Sequence, residues 1–140
     1  MDTDALADRL IALNRGSVEG VSISGGEPFL QTEALRRLVA RIRHTSSLSI
    51  LIFSGYLIEE IQQMGHGAEV LFMTDILIDG RYMHEYHSDT GFPGSSNQHI
   101  HFLSKRYTAS DLKDIPSIEV IINRDGIITT TGMYGTNGLF

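Results

Sequence analysis

The chain has 140 residues, 41% of them apolar, with 11 basic and 17 acidic side chains, a formal charge of -6 and no cysteine. That length suits one domain with a real core; the acidity disfavours the basic surface of a nucleic-acid binder, and no apolar run is long enough to span a bilayer. Without cysteine, disulfides, thiolate nucleophiles and any iron–sulfur cluster held by this chain's own side chains are excluded.

Asp2, Asp4, Asp8 and Arg9 interrupt any secretory hydrophobic region at the start, so the cytoplasm is the expected location. Leu6, Leu10 and Leu13 recur at helical spacing between Asp4 and Asn14, with Asp2, Thr3 or Asp4 as N-cap and Gly16 as the stop. The β-branched Val21 and Ile23 predict a strand over Gly20 to Ser24, ended by Gly25-Gly26. Glu27 follows, and Pro28 biases it towards an extended conformation, which leaves a carboxylate among glycines at a strand end. Such a loop suits a ligand ammonium group; it is also ordinary strand-to-helix turn chemistry.

A second helix is expected from about Gln31 to Arg43, with Leu35, Leu38, Val39 and Ile42 inward and Arg36, Arg37, Arg41 and Arg43 mostly on a solvated face. Leu48 to Phe53 is nearly continuously apolar, as in a parallel strand covered by helices on both faces. A third helix is expected over Leu57 to Met64, broken by Gly65 and Gly67, with Val70 to Met73 as a turn of helix or a connector. Asp75 to Asp79 is the next strand, with Gly80-Arg81-Tyr82 at its end. This order predicts a βαβαβ unit with a parallel sheet, preceded by a helix that has no strand of its own before it.

Met83 to Pro93 reads as a long loop, and Gly94 to Gln98 as a polar segment that either cradles a ligand or turns the chain. His99 to Leu103 is a candidate strand, Ser110 to Ile115 a short helix capped by Ser110, and Ile118 to Thr131 a hairpin turning at Asn123-Arg124-Asp125-Gly126. The expected organisation is one domain over 1–140, with a core at about 4–82, a loop, short strand and hairpin over 83–132, and a loose tail at 133–140.

In order, Gly-Gly-Glu-Pro at 25–28, Phe-Ser-Gly-Tyr at 53–56, Asp-Ile-Leu-Ile-Asp-Gly-Arg-Tyr at 75–82, Gly-Ser-Ser-Asn-Gln at 94–98 and the hairpin at 122–132 carry a resemblance. The chain resembles the radical S-adenosylmethionine superfamily, within it the activating enzymes of anaerobic ribonucleotide reductase and related single-cluster glycyl-radical activases. The resemblance implies an α/β fold built on a partial (βα) parallel sheet with covering helices and a C-terminal β-hairpin. It further implies that Gly25, Gly26 and Glu27, followed by Pro28, bind the ammonium of S-adenosylmethionine. Ser54, Asp79 and Arg81, at the next strand ends, become candidates for its remaining amino-acid and ribose groups. Asp79 and Arg81 are equally suited to pair with each other.

Intact enzymes of this kind cleave the cofactor reductively to a 5′-deoxyadenosyl radical, which abstracts hydrogen from a protein partner. They carry a Cys-x3-Cys-x2-Cys loop for a 4Fe–4S cluster, and this chain has none. The cluster is therefore expected only if cysteines come from a segment upstream of Met1, and the chain alone is expected to be inactive. A strand missing from that side would leave the next strand with an open edge that favours pairing with another copy. Pro93 before Gly94 and His99 after Gln98 depart from the arginine usual in activases, which leaves the partner's identity open. The alternative is a cluster-free binding or interaction protein that keeps the fold.

Six histidines add a metal reading: His84 and His87 flank Glu85, and His99 and His101 share one strand face, with Asp89 as a carboxylate. Surface histidines are the plainer account. No Gly-x-Ser-x-Gly elbow or phosphate loop is present.

Overall fold

The computed structural model describes residues 2–12, 18–88, 92–113, 118–122 and 128–132, the last two segments by their backbone. The expected helix stop at Gly16, the acid at Asp89, the hairpin turn at 123–126 and the tail at 133–140 lie outside the described residues.

Helix α1 (Thr3–Ala12) precedes strand β1 (Gly20–Ile23), and a 3-10 turn at Pro28–Gln31 leads into α2 (Thr32–Thr45). Strand β2 (Ser49–Phe53), helices α3 (Ile58–Gln63) and α4 (Gly67–Phe72) and strand β3 (Ile76–Asp79) follow, then β4 (His99–Phe102) and the hairpin β5 (Ile118–Ile122) and β6 (Ile128–Gly132). The main sheet has the order β1-β2-β3-β4. Its first three strands are parallel, with Val21 opposite Ile50 and Ile52 opposite Leu77. β4 runs antiparallel to β3, and β5 and β6 form a separate two-stranded sheet. Among the described residues β1 pairs with β2 alone. The chain is thus a mixed α/β fold, and no helix of the described residues is long and apolar enough to cross a membrane.

One core joins the helices to a single face of the sheet. Leu35, Leu38, Val39 and Ile42 of α2 meet Ile50 and Ile52 of β2 and Leu77 of β3 in one buried cluster. Each such side chain stabilises the fold by about 1.5–3 kcal/mol through lost apolar surface. The expectation of helices on both faces is corrected here. Burial in β2 alternates: Ile50 and Ile52 are buried, while Ser49, Leu51 and Phe53 are half-buried. Loop residues cover part of that second face, Phe92 lying 5.4 Å from Phe53 between ring centroids and Tyr107 donating to Ser49 Oγ at 2.8 Å.

Three further expectations change. The third helix ends at Gln63, before Gly65 and Gly67 as expected, but Val70 to Phe72 is more than a turn or connector, forming with Gly67 to Glu69 a separate helix α4. A Cβ at Gly67 would lie within 2.9 Å of the Ile61 carbonyl carbon, so glycine is what lets α3 and α4 approach. The expected short helix at Ser110 is a 3-10 turn at Ala109–Leu112 capped by Thr108, whose N–H and hydroxyl donate to Asp111 at 2.6 and 2.8 Å. Arg43 leaves the solvated face that holds Arg37 and Arg41, paired with Asp4 and Asp8. Its guanidinium reaches beneath α2 to the Met73 carbonyl at 2.6 Å and to Asp75 at 2.8 Å.

Asp75, 3% exposed, ties the sheet to what surrounds it. Its carboxylate accepts from Ile50 N–H at 2.9 Å, Ser104 Oγ at 2.6 Å and Arg43. Burial pushes its carboxyl up, and the hydrogen bonds from Ser104, Arg43 and Ile50 together outweigh that, so it sits below its ordinary value of 3.8.

Two outcomes follow. Gly67→Ala should destabilise the chain by about 1–3 kcal/mol in urea unfolding, because the new methyl group meets backbone. Because the folded carboxyl of Asp75 is more acidic than the unfolded one, its stabilisation is complete above the unfolded value and is lost as pH falls through the folded one. Wild-type stability should therefore decline below about pH 4, and Asp75→Asn, less stable at pH 7, should show a shallower decline.

Candidate functional site

Val21 and Ile23 pack against the helical core and so bring the following loop out at the carboxyl end of the sheet. Gly25 has φ +84° and Gly26 φ +57°, with nothing within 4 Å of a Cβ at either. Glycine is needed here for backbone conformation, since space is ample. Glu27 is extended, φ -117° and ψ 109°, as a residue before proline should be, and Pro28 opens the 3-10 turn and is buried.

The Glu27 carboxylate links two strand ends. Oε1 accepts from Phe29 N–H at 3.1 Å and from the Ser54 hydroxyl at 2.9 Å, and Oε2 accepts from Gly55 N–H at 2.7 Å. Ser54 Oγ in turn accepts from Tyr56 N–H at 3.1 Å, and Ser54 is 5% exposed. A carboxylate offers roughly four acceptor directions, so the three donors from the chain leave one open.

That carboxylate lies in the wall of a cavity of about 320 Å³ beyond the strand ends. Gly25, Gly26, Glu27 and Ser54 line it together with Phe53, Gly80, Tyr82 and Gln98. Four of the residues singled out in the sequence are therefore brought together. Pro28, Asp79 and Arg81 are outside this lining. Asp79 ends β3 with 1% exposure, and its Oδ2 accepts from Ile58 N–H at 2.7 Å. In place of a pair with Arg81 it has His99 Nδ1 at 3.0 Å and His101 Nε2 at 3.0 Å.

The Gly94 to Gln98 segment mostly fastens the chain. Gln98 Nε2 donates to the Gly80 carbonyl and Asn97 Nδ2 to the Arg81 carbonyl, both at 2.8 Å, while Ser95 Oγ accepts from Met83 N–H at 3.2 Å. Gly94 and Gln98 still reach the cavity. His84 and His87 stay near one another, rings 6.5 Å apart, and Tyr82 Oη lies 2.9 Å from His87 Nδ1.

Phe53, Gly80 and Tyr82 were not singled out as lining residues, whereas Gly94 and Gln98 end the segment expected either to cradle a ligand or to turn the chain. A strand-end rule applied to every parallel strand would have found Phe53 and Gly80; Tyr82 and Gln98 arrive through the loop closure just described. The convergence of Asp79 with His99 and His101 comes from antiparallel pairing, which sets Asp79 opposite His99 and Leu77 opposite His101.

A family profile described as "4Fe-4S single cluster domain" matches residues 1–101. Among curated proteins, the anaerobic ribonucleoside-triphosphate reductase-activating protein of Enterobacteria phage T4 is 28% identical over 91 residues, which make up 63% of this chain and 56% of that protein. The chain thus spans about half the length of that relative. No solved structure matches it.

A 4Fe–4S cluster is held by cysteine thiolates. The 140 residues supply none, and the cavity wall offers hydroxyl, carboxylate, amide and aromatic groups, so these residues do not fit the cluster. From its match over residues 1–101, the chain belongs to the 4Fe-4S single cluster domain family and is related to the activase group that its motifs resemble, without the thiolates that would bind the cluster.

Proposed function

We propose that the chain is the S-adenosylmethionine-binding part of an activase-like radical protein and that its cavity receives the ammonium end of that cofactor. The observation that carries this reading is the Glu27 carboxylate, fixed in the cavity wall by Phe29 N–H, Ser54 Oγ and Gly55 N–H with one acceptor direction still open. Family membership and the name of the phage relative support it. The parallel order of β1, β2 and β3 agrees with a partial sheet of the radical S-adenosylmethionine type.

A positioned carboxylate attracts an ammonium by a charge-assisted hydrogen bond, and the donors that hold it in place reduce the ordering needed on binding. Phe53 and Tyr82 offer aromatic surface to the apolar parts of the ligand. Asp79 and Arg81 drop out of the contact set on this reading, Asp79 because its carboxylate already serves Ile58 and two imidazoles. The partner would be a protein, by analogy with the reductase named for the relative. No reaction step is assigned to this chain by itself, because the cluster has no ligands here.

The lack of any cysteine favours a second reading, a cluster-free binding protein that keeps the fold. Incubated anaerobically with ferrous iron and sulfide, the chain alone should retain no acid-labile sulfide; retention would sink the cluster-free reading.

Calorimetric titration tests the site itself. Glu27→Gln keeps the size of the side chain but removes its charge, and it should weaken S-adenosylmethionine binding about tenfold or more. 5′-Methylthioadenosine, which has no ammonium, should bind wild type and variant alike. Equal affinity of both proteins for S-adenosylmethionine would overturn the assignment.

A further inference from the structure

Asp79, His99 and His101 each bring one donor atom into a cluster in which all donors lie within 4.8 Å of one another. Asp79 is 1% exposed, and the ion pairs it makes among the described residues are with these two imidazoles. A buried carboxylate is stable only where its lone pairs find partners. His101 Nε2 sharpens the point. It lies 3.0 Å from Asp79 Oδ2, yet it is a buried nitrogen with no hydrogen-bond partner. Two donor atoms held side by side without a hydrogen bond between them are arranged as neighbouring ligands of one cation would be.

We propose that Asp79, His99 and His101 form a site for a divalent transition metal of the zinc class. The two approaches are to different carboxylate oxygens, His99 Nδ1 hydrogen-bonded to Oδ1 at 3.0 Å and His101 Nε2 lying 3.0 Å from Oδ2. With one ligand atom from each residue the three lie within 4.8 Å of one another, near enough to close to the roughly 3.3 Å between donors in a tetrahedral shell with bonds of about 2.0–2.1 Å. Two imidazole nitrogens and one carboxylate oxygen select zinc or a similar borderline cation over magnesium or calcium, which prefer all-oxygen shells. Ile58 N–H donates to Asp79 Oδ2 at 2.7 Å and so orients the carboxylate from outside the metal's shell. His99, with its side chain 63% exposed, gives the cation a route from solvent and leaves a position for water. The cation would fasten β4, the border strand, to the end of β3. None of its ligands lines the cavity assigned to S-adenosylmethionine, although Gly80 and Gln98, next in the chain to Asp79 and His99, do.

Equilibrium dialysis of the whole chain against zinc, with cobalt as a spectroscopic substitute, tests the site. One equivalent should bind per chain, and cobalt should give the intense visible bands of a low-coordinate site. His99→Ala and His101→Ala should each weaken binding at least tenfold. Zinc should raise the melting temperature of wild type in proportion to the logarithm of its concentration, an effect that His99→Ala should lose. Asp79→Asn risks misfolding because the carboxylate is buried, whereas His99→Ala removes an exposed ring and keeps the test decisive. Substoichiometric binding, unchanged affinity in both histidine variants, or binding lost instead in His84→Ala/His87→Ala would overturn the proposal.

Discussion

Two buried carboxylates stand at either end of β3, and most of the architecture is attached to them. Asp75, just before the strand, takes the Ile50 N–H of β2, the Ser104 hydroxyl beyond β4 and the Arg43 guanidinium of α2. Its own backbone continues the sheet, donating to the Ile50 carbonyl at 2.9 Å and accepting from Leu103 N–H at 2.8 Å. Asp79, at the far end, accepts from the first turn of α3 and faces two histidines of β4. A carboxylate is tolerated in such places only when its lone pairs are satisfied. That requirement fixes where α2, α3 and β4 sit relative to the central strand.

Glu27 does comparable work one layer out. By accepting from Ser54 and Gly55 it locks the end of β1 to the end of β2, and the Phe29 N–H it also holds sets the turn into α2. Gly25 and Gly26 make the approach feasible with their positive φ values. The same contacts define one wall of the cavity. The packing of the strand ends and the shape of the cavity therefore rest on the same side chain.

Much of this was legible in the residues. Leu35, Leu38, Val39 and Ile42 announce the buried stripe of α2 by spacing alone, and Val21 with Ile23 announces β1. The Gly-Gly-Glu-Pro run marks the loop, because positive φ and a residue before proline leave local signatures. Other features had no such signature. Gly67 gives no local sign that the backbone of α3 lies against it. Leu51 and Phe53 look fully buried in sequence but are half-buried, on a face where the described contacts to β2 include those of Phe92 and Tyr107. His99 and His101 were visible as a pair, but the carboxylate that meets them among the described residues is Asp79, twenty residues before His99.

By itself the sequence determined the helix stripes, the parallel strand order, the cavity loop and the impossibility of a cluster on this chain's own side chains. Each depends on local periodicity, on backbone freedom or on the presence of a residue type. The tertiary structure decided what the carboxylates hold and which of them are buried: the half-buried Glu27 meets Ser54 and Gly55, and the buried Asp75 and Asp79 meet Arg43 with Ser104 and His99 with His101. Those pairings span 20 to 32 residues of chain. They are set by sheet register and by the need to satisfy buried charge, neither of which is encoded in any short stretch of residues.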